Sequence, residues 1–336
     1  MALVLGYKAS AEQFAPRELL EFGVLAEEYG FDSVVVSDHF TPWRNKDGHA
    51  PFSFAWLAAL GERTKRVRLG TSVVTPTFRY HPSVVAQATA TLAVLNPARF
   101  FLGVGTGEPM NEVPALGIEF PPYRERVARL REAVELMRKL WTGEFVTYEG
   151  RYYRTKEARL FDVPPEGVPL YVAGTGEKTA EFAGSVADGF ICTSGKPREL
   201  YAETLLPALD RGARKAGRNP GRLARAIEMK VSFDHDPEHA LRDTRNWAAL
   251  ALPPEERAAI HDPREMEAKA SAIADQAHIR WIVSSVAEEH VERVKMYIDL
   301  GFDHLIFHFP GEDQARTMRQ YAKEILPRLR SYAGRR

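Results

Sequence analysis

The feature that most constrains the fold is an alternation of short apolar segments with amphipathic helical segments along the chain. Eight segments resemble strands that are buried on both faces, and helical patterns separate them. This alternation predicts a (β/α)8 barrel, with a doubly wound parallel sheet as the alternative. No change in composition marks a second domain, so we expect a single domain over 1–336. The predicted strands are 3–7, 33–37, 67–75, 99–105, 168–173, 189–193, 226–233 and 304–309.

Three insertions interrupt this alternation. Residues 109–122 are polar and rich in proline, 142–167 contain a hairpin-like segment at 149–153, and 234–285 are charged and mostly helical in pattern. Long insertions on a barrel usually form lids or binding loops. We therefore expect these three segments to be loops or a lid near the active site.

Composition argues against several classes of function. The 45 basic and 45 acidic residues balance, so neither a nucleic acid nor a membrane surface is expected as the main partner. The single cysteine, Cys192, allows no intrachain disulfide and fits a reducing cytoplasm. We also expect no signal peptide and no membrane span, because no apolar segment has the required pattern or length.

Polar residues follow the predicted strands at the end where barrel enzymes place their active sites. The second strand leads into Asp38, His39 and Trp43, and the fourth ends in a Gly-rich turn before Glu108. The structural alternative is that Asp38 caps a turn and His39 is an ordinary surface histidine. Other polar or glycine positions at strand ends are Thr75, Thr175, Gly176, Thr193, Lys196, Glu228, Lys230 and His308.

His39 and Glu108 are the natural acid–base pair of this set. Histidine titrates near neutrality, and an apolar pocket can raise the pKa of a carboxyl group toward that range. The alternative for Glu108 is an exposed loop carboxylate. Lys196, Arg257 and Arg280 are candidates for binding a phosphate, which needs fixed positive charge, although each could be a surface cation.

Two glycine-rich turns indicate anion or ring binding rather than dinucleotide binding. The turn at 103–107 is followed by Pro109 and not directly by a helix, so it lacks the dinucleotide fingerprint. The turn at 174–176 precedes a helical pattern, whose free amide groups favour a phosphate. No histidine or cysteine cluster has the spacing of zinc ligands, so no metal is expected.

Linked motifs extend over nearly the whole chain. They include Ser37-Asp-His-Phe40, Thr75-Pro-Thr-Phe-Arg-Tyr80, Phe101-Leu-Gly-Val-Gly-Thr-Gly-Glu108 and Asp188-Gly-Phe-Ile-Cys-Thr-Ser-Gly-Lys196, with further matches at 6–18, 42–44, 48–52 and 70–73. Together they resemble the coenzyme F420-dependent glucose-6-phosphate dehydrogenases. That family belongs to the luciferase-like barrels, so the resemblance implies a luciferase-like (β/α)8 barrel.

The resemblance implies an oxidoreductase that uses coenzyme F420, a deazaflavin. It would oxidise glucose 6-phosphate, or a related sugar 6-phosphate, to 6-phosphogluconolactone by hydride transfer from the anomeric carbon. His39 would take the hydroxyl proton, Glu108 would protonate the deazaflavin nitrogen that gains charge, and Trp43 would shape the pocket. The resemblance also implies a homodimer and a non-proline cis peptide bond at Ser72–Val73.

The same resemblance assigns binding roles residue by residue. The deazaflavin would contact Asp38, Thr75, Thr106, Gly107 and Asn111, with its side chain and phosphate along Thr175, Gly176, Lys178 and Thr179. The sugar phosphate would contact Thr193, Lys196, Arg257 and Arg280.

Some positions depart from the family pattern. Thr175 stands in place of glycine, Lys178 and Thr179 replace small or apolar residues, and Arg257 replaces lysine, so contacts to the cofactor tail and to the phosphate are open. Two other functions also stay open. They are an FMN-dependent luciferase-like monooxygenase and a non-redox sugar-phosphate enzyme or binding protein of barrel fold.

Overall fold

A computed structural model describes residues 3–335 of the chain. Eight parallel strands form a closed barrel in the order β1-β2-β3-β4-β7-β8-β9-β11, and β11 pairs with β1. The prediction of a (β/α)8 barrel is confirmed, and the doubly wound alternative is wrong because the β8–β9 pairing closes the eight strands on themselves. The strands are β1 Val4–Ala9, β2 Ser33–Val36, β3 Arg68–Thr71, β4 Phe100–Val104, β5 Val146–Glu149, β6 Arg154–Ala158, β7 Leu170–Ala173, β8 Gly189–Thr193, β9 Ala224–Phe233, β10 Ile282–Ser284 and β11 His304–His308.

Helices connect the strands and cover the outside of the barrel. The α-helices are α1 Pro16–Glu28, α2 Ser53–Arg63, α3 Pro82–Leu95, α4 Pro109–Leu116, α5 Tyr123–Leu140, α6 Glu177–Val186, α7 Leu206–Lys215, α8 Pro237–Asp243, α9 Pro254–Ala259, α10 Pro263–Ala272, α11 Ala287–Asp299, α12 Gln314–Gln320 and α13 Leu326–Ala333. Two π-helical segments, Leu200–Leu205 and Tyr321–Ile325, lead into α7 and α13. Short 3₁₀ helices lie at Pro220–Arg222, Thr244–Ala251 and Ala274–Arg280.

Two layers of apolar side chains hold the barrel. The outer layer lies between strands and helices, where α5 buries Leu130, Val134, Met137 and Leu140 at helical spacing. The inner layer fills the barrel itself, as is usual for this fold, and its members come from six strands. They are Val35, Phe101, Tyr171, Ile191, Ala226 and Ile306.

The insertions differ in how well they match the sequence-based expectation. Residues 142–167 contain the expected antiparallel hairpin, β5–β6. The expectation of a loop at 109–122 is wrong, because this segment contains α4. Proline at the first helical position loses no hydrogen bond, and Gly117, with a φ of 64°, ends the helix in the left-handed region. Residues 234–285 are helical as expected, but they also contain β10, which pairs with the end of β9 and was not predicted.

The third strand is also shorter than expected. It ends at Thr71, and beyond it only Val74 forms an isolated bridge to Val104. The expected cis peptide bond at Ser72–Val73 is present. In the described range 3–335, no helix has both the length and the apolar character needed to cross a membrane.

Gly103 in β4 provides a test of how tightly the barrel wall is packed. A Cβ atom at this position would lie 2.1 Å from the backbone oxygen of Thr71 and 3.0 Å from Cδ1 of Ile191. We expect Gly103→Ala to lower the free energy of unfolding by about 1–3 kcal/mol, because β3 or β4 must shift. Chemical denaturation measures this change.

The matched control is Gly334→Ala, since Gly334 lies in an exposed position and its nearest neighbour atom is 3.4 Å from the added Cβ. We expect this control to unfold like the wild type. Equal stability of Gly103→Ala and Gly334→Ala would contradict the packing argument.

Candidate active site

The carboxyl ends of the barrel strands surround a cavity of about 330 Å³. Strands β1, β7, β8, β9 and β11 contribute to its wall, together with the segments that follow β1, β2, β3, β4 and β7 and with part of the 234–285 insertion. The cavity thus brings together most of the site residues expected from sequence. They are Asp38, His39, Trp43, Thr75, Thr106, Gly107, Glu108, Asn111, Thr175, Thr193, Arg257 and Arg280.

Four of the expected residues lie outside this cavity. Lys196 lines an adjoining cavity of about 570 Å³, here called the second cavity, which shares Lys230 and Arg280 with the first. Gly176 is the N-cap of α6, and Lys178 is exposed in its first turn. Thr179 is buried, and its hydroxyl group contacts the hydroxyl group of Tyr123. The fold therefore does not bring Lys178 and Thr179 into the cavity.

His39 is oriented for proton transfer. Its Nδ1 lies 3.2 Å from the backbone oxygen of Thr41. Because a carbonyl oxygen can only accept, Nδ1 carries the proton, and in the neutral ring Nε2 is free to take another. Nε2 lies 3.3 Å from Oε1 of Glu12 and 3.7 Å from Oε2 of Glu108. The ring centroid of Trp43 is 5.6 Å from that of His39.

Glu12 is a member of this group that the sequence analysis did not select. It follows β1, is buried, and accepts a hydrogen bond of 2.7 Å from Oγ of Ser37. Burial acts to raise the pKa of Glu12, but the charges of His39 and Lys8 and the bond from Ser37 hold it below its usual value. The 6–18 motif contains Glu12, yet no local spacing signals that it meets His39.

Asp38 has its carboxylate fully engaged by the protein. It accepts bonds of 2.7 Å from Oγ of Ser53, 2.7 Å from Nη2 of Arg79 and 2.9 Å from the hydroxyl group of Tyr80. Arg79 also donates to the backbone oxygen of Asp38 at 2.8 Å. These bonds fix the end of β2 immediately before His39. Arg79 and Tyr80 lie in the 75–80 motif, but they were not predicted to bind Asp38.

Asn111 supports the same loop from the other side. Its Oδ1 accepts hydrogen bonds from the backbone amides of Phe40 at 2.9 Å and Thr41 at 3.1 Å. Because Oδ1 is engaged in this way, the amide nitrogen is the part of Asn111 that remains for a bound group. The loop after His39 is thereby held by α4, the helix that the sequence analysis missed.

The opposite wall of the cavity contains buried charges from β1 and β9. Nζ of Lys8 lies 3.4 Å from Oε2 of Glu228 and donates to the backbone oxygen of Ser72 at 2.7 Å. Burial acts to raise the pKa of Glu228, but Lys8, Lys230 and His308 outweigh it and lower the pKa to about 2. Glu228 is therefore a carboxylate at neutral pH.

The three cations proposed for phosphate binding lie near one another. Burial, followed by the charges of Arg280 and Arg257, lowers the pKa of Lys196. The guanidinium of Arg257 lies 5.8 Å from the ring centroid of Trp43, so this cation reaches the His39 side of the cavity. Clustered cations of this kind are costly without an anion. The cavity thus combines a proton-transfer group with an anion-binding group.

The fold and this arrangement match one family. Residues 4–304 match the family model described as luciferase-like monooxygenase, and the chain belongs to that family. It is 56% identical over 333 residues to the F420-dependent glucose-6-phosphate dehydrogenase of Segniliparus rotundus, covering 98% of this chain and 99% of that protein. It is 57% identical over 334 residues to the enzyme of the same name from Nocardia farcinica, with coverage of 98% and 99%.

A solved structure supports the same relationship. An F420-dependent secondary alcohol dehydrogenase, in complex with an F420–acetone adduct, superimposes with a TM-score of 0.92 at 33% identity. The match covers 98% of this chain and 99% of that one. The family expected from sequence is confirmed by these relatives.

Glu112, in α4, provides a pH-dependent test of how the Asp38 network is built. It is buried, with Oε2 3.4 Å from Nε of Arg79. Burial raises its pKa to about 7, against the lowering effect of Arg79 and with a further rise from Asp38. A carboxyl group whose pKa rises on folding stabilises the fold fully below its unfolded pKa of 4.5, and that contribution is lost as the pH rises through 7.

We therefore expect Glu112→Gln to melt like the wild type near pH 4.5 and to be more stable above pH 7. The gain is about 1–3 kcal/mol. Thermal melts over a pH series measure it, and the exposed Glu119→Gln is the control with no pH-dependent difference. A difference that is largest at acidic pH would contradict this assignment.

Proposed function

We propose that this protein oxidises glucose 6-phosphate, or a related sugar 6-phosphate, to 6-phosphogluconolactone with coenzyme F420 as hydride acceptor. The observation that carries the proposal is that one cavity joins the His39–Glu12–Glu108 group to a group of cations. A sugar phosphate needs both, because its anomeric hydroxyl must lose a proton while its phosphate needs positive charge. The names of the two relatives above support the same substrate and cofactor.

The wall formed by β3, β4 and β7 fits a planar cofactor. Its lining after β4 and β7 is rich in glycine, at Gly105, Gly107 and Gly174. A Cβ atom on Gly105 would lie 2.8 Å from Cγ2 of Val73, and Gly107 has a φ of 87°, so side chains are disfavoured here. This leaves an open face against which a flat ring can lie.

The residues around this face are those that would hold coenzyme F420. Thr75, Thr106, Gly107 and Asn111 line the cavity beside it, while Asp38 fixes the adjacent loop. We assign the cofactor side chain and phosphate to the 174–176 turn and the start of α6, where free amide groups favour an anion. This assignment places Thr175 and Gly176 nearer to the phosphate than the buried Thr179.

The bound coenzyme supplies the hydride-accepting ring. Nε2 of His39 takes the proton of the anomeric hydroxyl group, and Glu12, 3.3 Å away, stabilises the imidazolium that forms. Glu108, whose side chain is 52% exposed, is the second proton-transfer group at this end. Trp43 packs beside His39 and restricts the ring's movement.

At the other end, the phosphate is assigned to Thr193, Lys196, Arg257 and Arg280. Fixed guanidinium groups suit phosphate oxygens, because their planar donor pairs match two oxygens at once. Arg257 provides such a group where the family pattern has lysine. Its Nη1 donates to the backbone oxygen of Leu250 at 3.2 Å, which holds it at the cavity.

We also propose a homodimer in a reducing cytoplasm. Helix α3 leaves Val84, Val94 and Leu95 between 43% and 52% exposed, which favours a second protein surface over water. The single cysteine, Cys192, is free and buried, which suits a compartment without disulfides.

The activity has a direct spectroscopic test. Mixing the protein with oxidised F420 and glucose 6-phosphate should remove the visible absorbance of the deazaflavin, and unphosphorylated glucose should react far more slowly. Consumption of oxygen with FMN instead would indicate a monooxygenase. Tight binding of the sugar phosphate without any absorbance change would indicate a non-redox barrel, and either result would contradict the proposal.

His39→Ala tests the proton-transfer role. We expect kcat to fall by about 10²–10⁴-fold, the usual contribution of a positioned acid or base, with F420 affinity nearly unchanged. Steady-state kinetics and a fluorescence titration with F420 measure the two effects. His235→Ala is the control, since this exposed histidine pairs with Glu324. Activity within a few-fold of the wild type would remove His39 from the mechanism.

A further inference from the structure

Lys230 lies where the two cavities meet. It is on β9, its residue is only 4% exposed, and it lines both the active-site cavity and the second cavity. Only Arg280 shares this position among the described lining residues of the two cavities. Lys196 lines the second cavity next to it. The side chain therefore stands between the substrate region and the lysine already assigned to phosphate binding.

The ammonium group of Lys230 has no directly contacting anion among residues 3–335, although the charge of Glu228 acts on it from a longer distance. Within residues 3–335 it makes no side-chain hydrogen bond and no ion pair. Lys8 is equally buried, but it pairs with Glu228 at 3.4 Å and donates to Ser72. A buried charge without a directly contacting anion is unfavourable, and a bound anion would compensate for this cost. Glu228 forms its close ion pair with Lys8 and not with Lys230.

We infer that Lys230 is a fourth cation of the substrate phosphate site and that the phosphate binds at the junction of the two cavities. This inference rests on the proposed function. The phosphate group of a sugar phosphate has three terminal oxygens that accept hydrogen bonds, and an ammonium group has three donors. Lys230 and Arg280 line both cavities and Lys196 lines the second, so a phosphate at the junction would be next to all three cations.

The charges around Lys230 make this binding sensitive to pH. Burial and the charges of nearby cations together outweigh the opposite effect of Glu228 and lower its pKa to about 8. A phosphate dianion at the junction favours the ammonium form, so binding should take up a proton near pH 8. The charged and titratable groups that interact with Lys230 are Glu228, Arg280, Arg257, Lys8, His308 and Cys192, and Lys196 lines the second cavity with it.

Lys230→Met tests the inference, since methionine keeps much of the length and removes the charge. We expect the KM for glucose 6-phosphate to rise by at least about 30-fold, the lower bound for losing one partner of a buried charge pair. We expect kcat to stay within a few-fold and the melting temperature to be unchanged or higher, because an unpaired buried charge is removed. A residue that served only to stabilise the fold would instead lower the melting temperature.

Inorganic phosphate is the second probe, because it binds without turnover. Calorimetry on the F420-loaded protein, in two buffers of different ionisation enthalpy, measures both affinity and proton uptake. We expect proton uptake by the wild type near pH 8 and reduced uptake by Lys230→Met. Arg293→Met is the matched control, since Arg293 lines only the second cavity and donates to the backbone oxygen of Val283. Its phosphate affinity and KM should match those of the wild type.

These experiments distinguish failure of the Lys230 inference from failure of the proposed function. Equal KM and phosphate affinity in Lys230→Met and wild type would overturn the inference and leave the proposed function intact. A larger loss in Arg293→Met than in Lys230→Met would also overturn it, because the anion would then lie in the second cavity. If Lys230→Met does not fold, absence of proton uptake by the wild type decides against the inference. A wild type that neither oxidises glucose 6-phosphate nor binds phosphate would overturn both.

Discussion

Closure of the parallel sheet is the constraint on which the active site depends. Pairing of β8 with β9 and of β11 with β1 leaves no free edge in the barrel. Because every barrel strand runs in the same direction, all the carboxyl ends meet at one rim. Residues that are far apart in sequence, such as Glu12 and Glu228, therefore face the same cavity. An open sheet would spread these ends along a line instead.

Closure also concentrates buried charges around the cavity. Glu12 and Glu228 stay ionised there only because His39 and Lys8 compensate for burial. Internal partners offset most of the free-energy cost of burying these charges. For example, Ser53, Arg79 and Tyr80 all donate hydrogen bonds to the carboxylate of Asp38. The cations near the second cavity are the exception, since they repel one another. This imbalance is the electrostatic basis for assigning a phosphate to that end.

The site also depends on how the loop after β2 is held. Arg79, in the segment before α3, fixes Asp38. Asn111, in α4, accepts hydrogen bonds from the backbone amides of Phe40 and Thr41. His39 lies between these two anchors, with one ring nitrogen bonded to Thr41. Its free nitrogen therefore points at the carboxylates without support from a ligand. Preorganisation of this kind lowers the cost of reaching the reactive geometry.

The sequence alone was enough to predict the barrel and the hairpin at 142–167 from local apolar patterns. Most of the cavity residues were predicted from their positions at strand ends together with the family resemblance. The sequence also determined the family, through motifs such as 37–40 and 101–108. The folded arrangement was needed to show that Glu12 meets His39, that Arg79 saturates Asp38 and that Lys230 has no directly contacting anion. It also decided that 109–122 contains a helix and that Thr179 is buried. These properties depend on burial and on distances between segments, and neither is encoded in the spacing of residues along one segment.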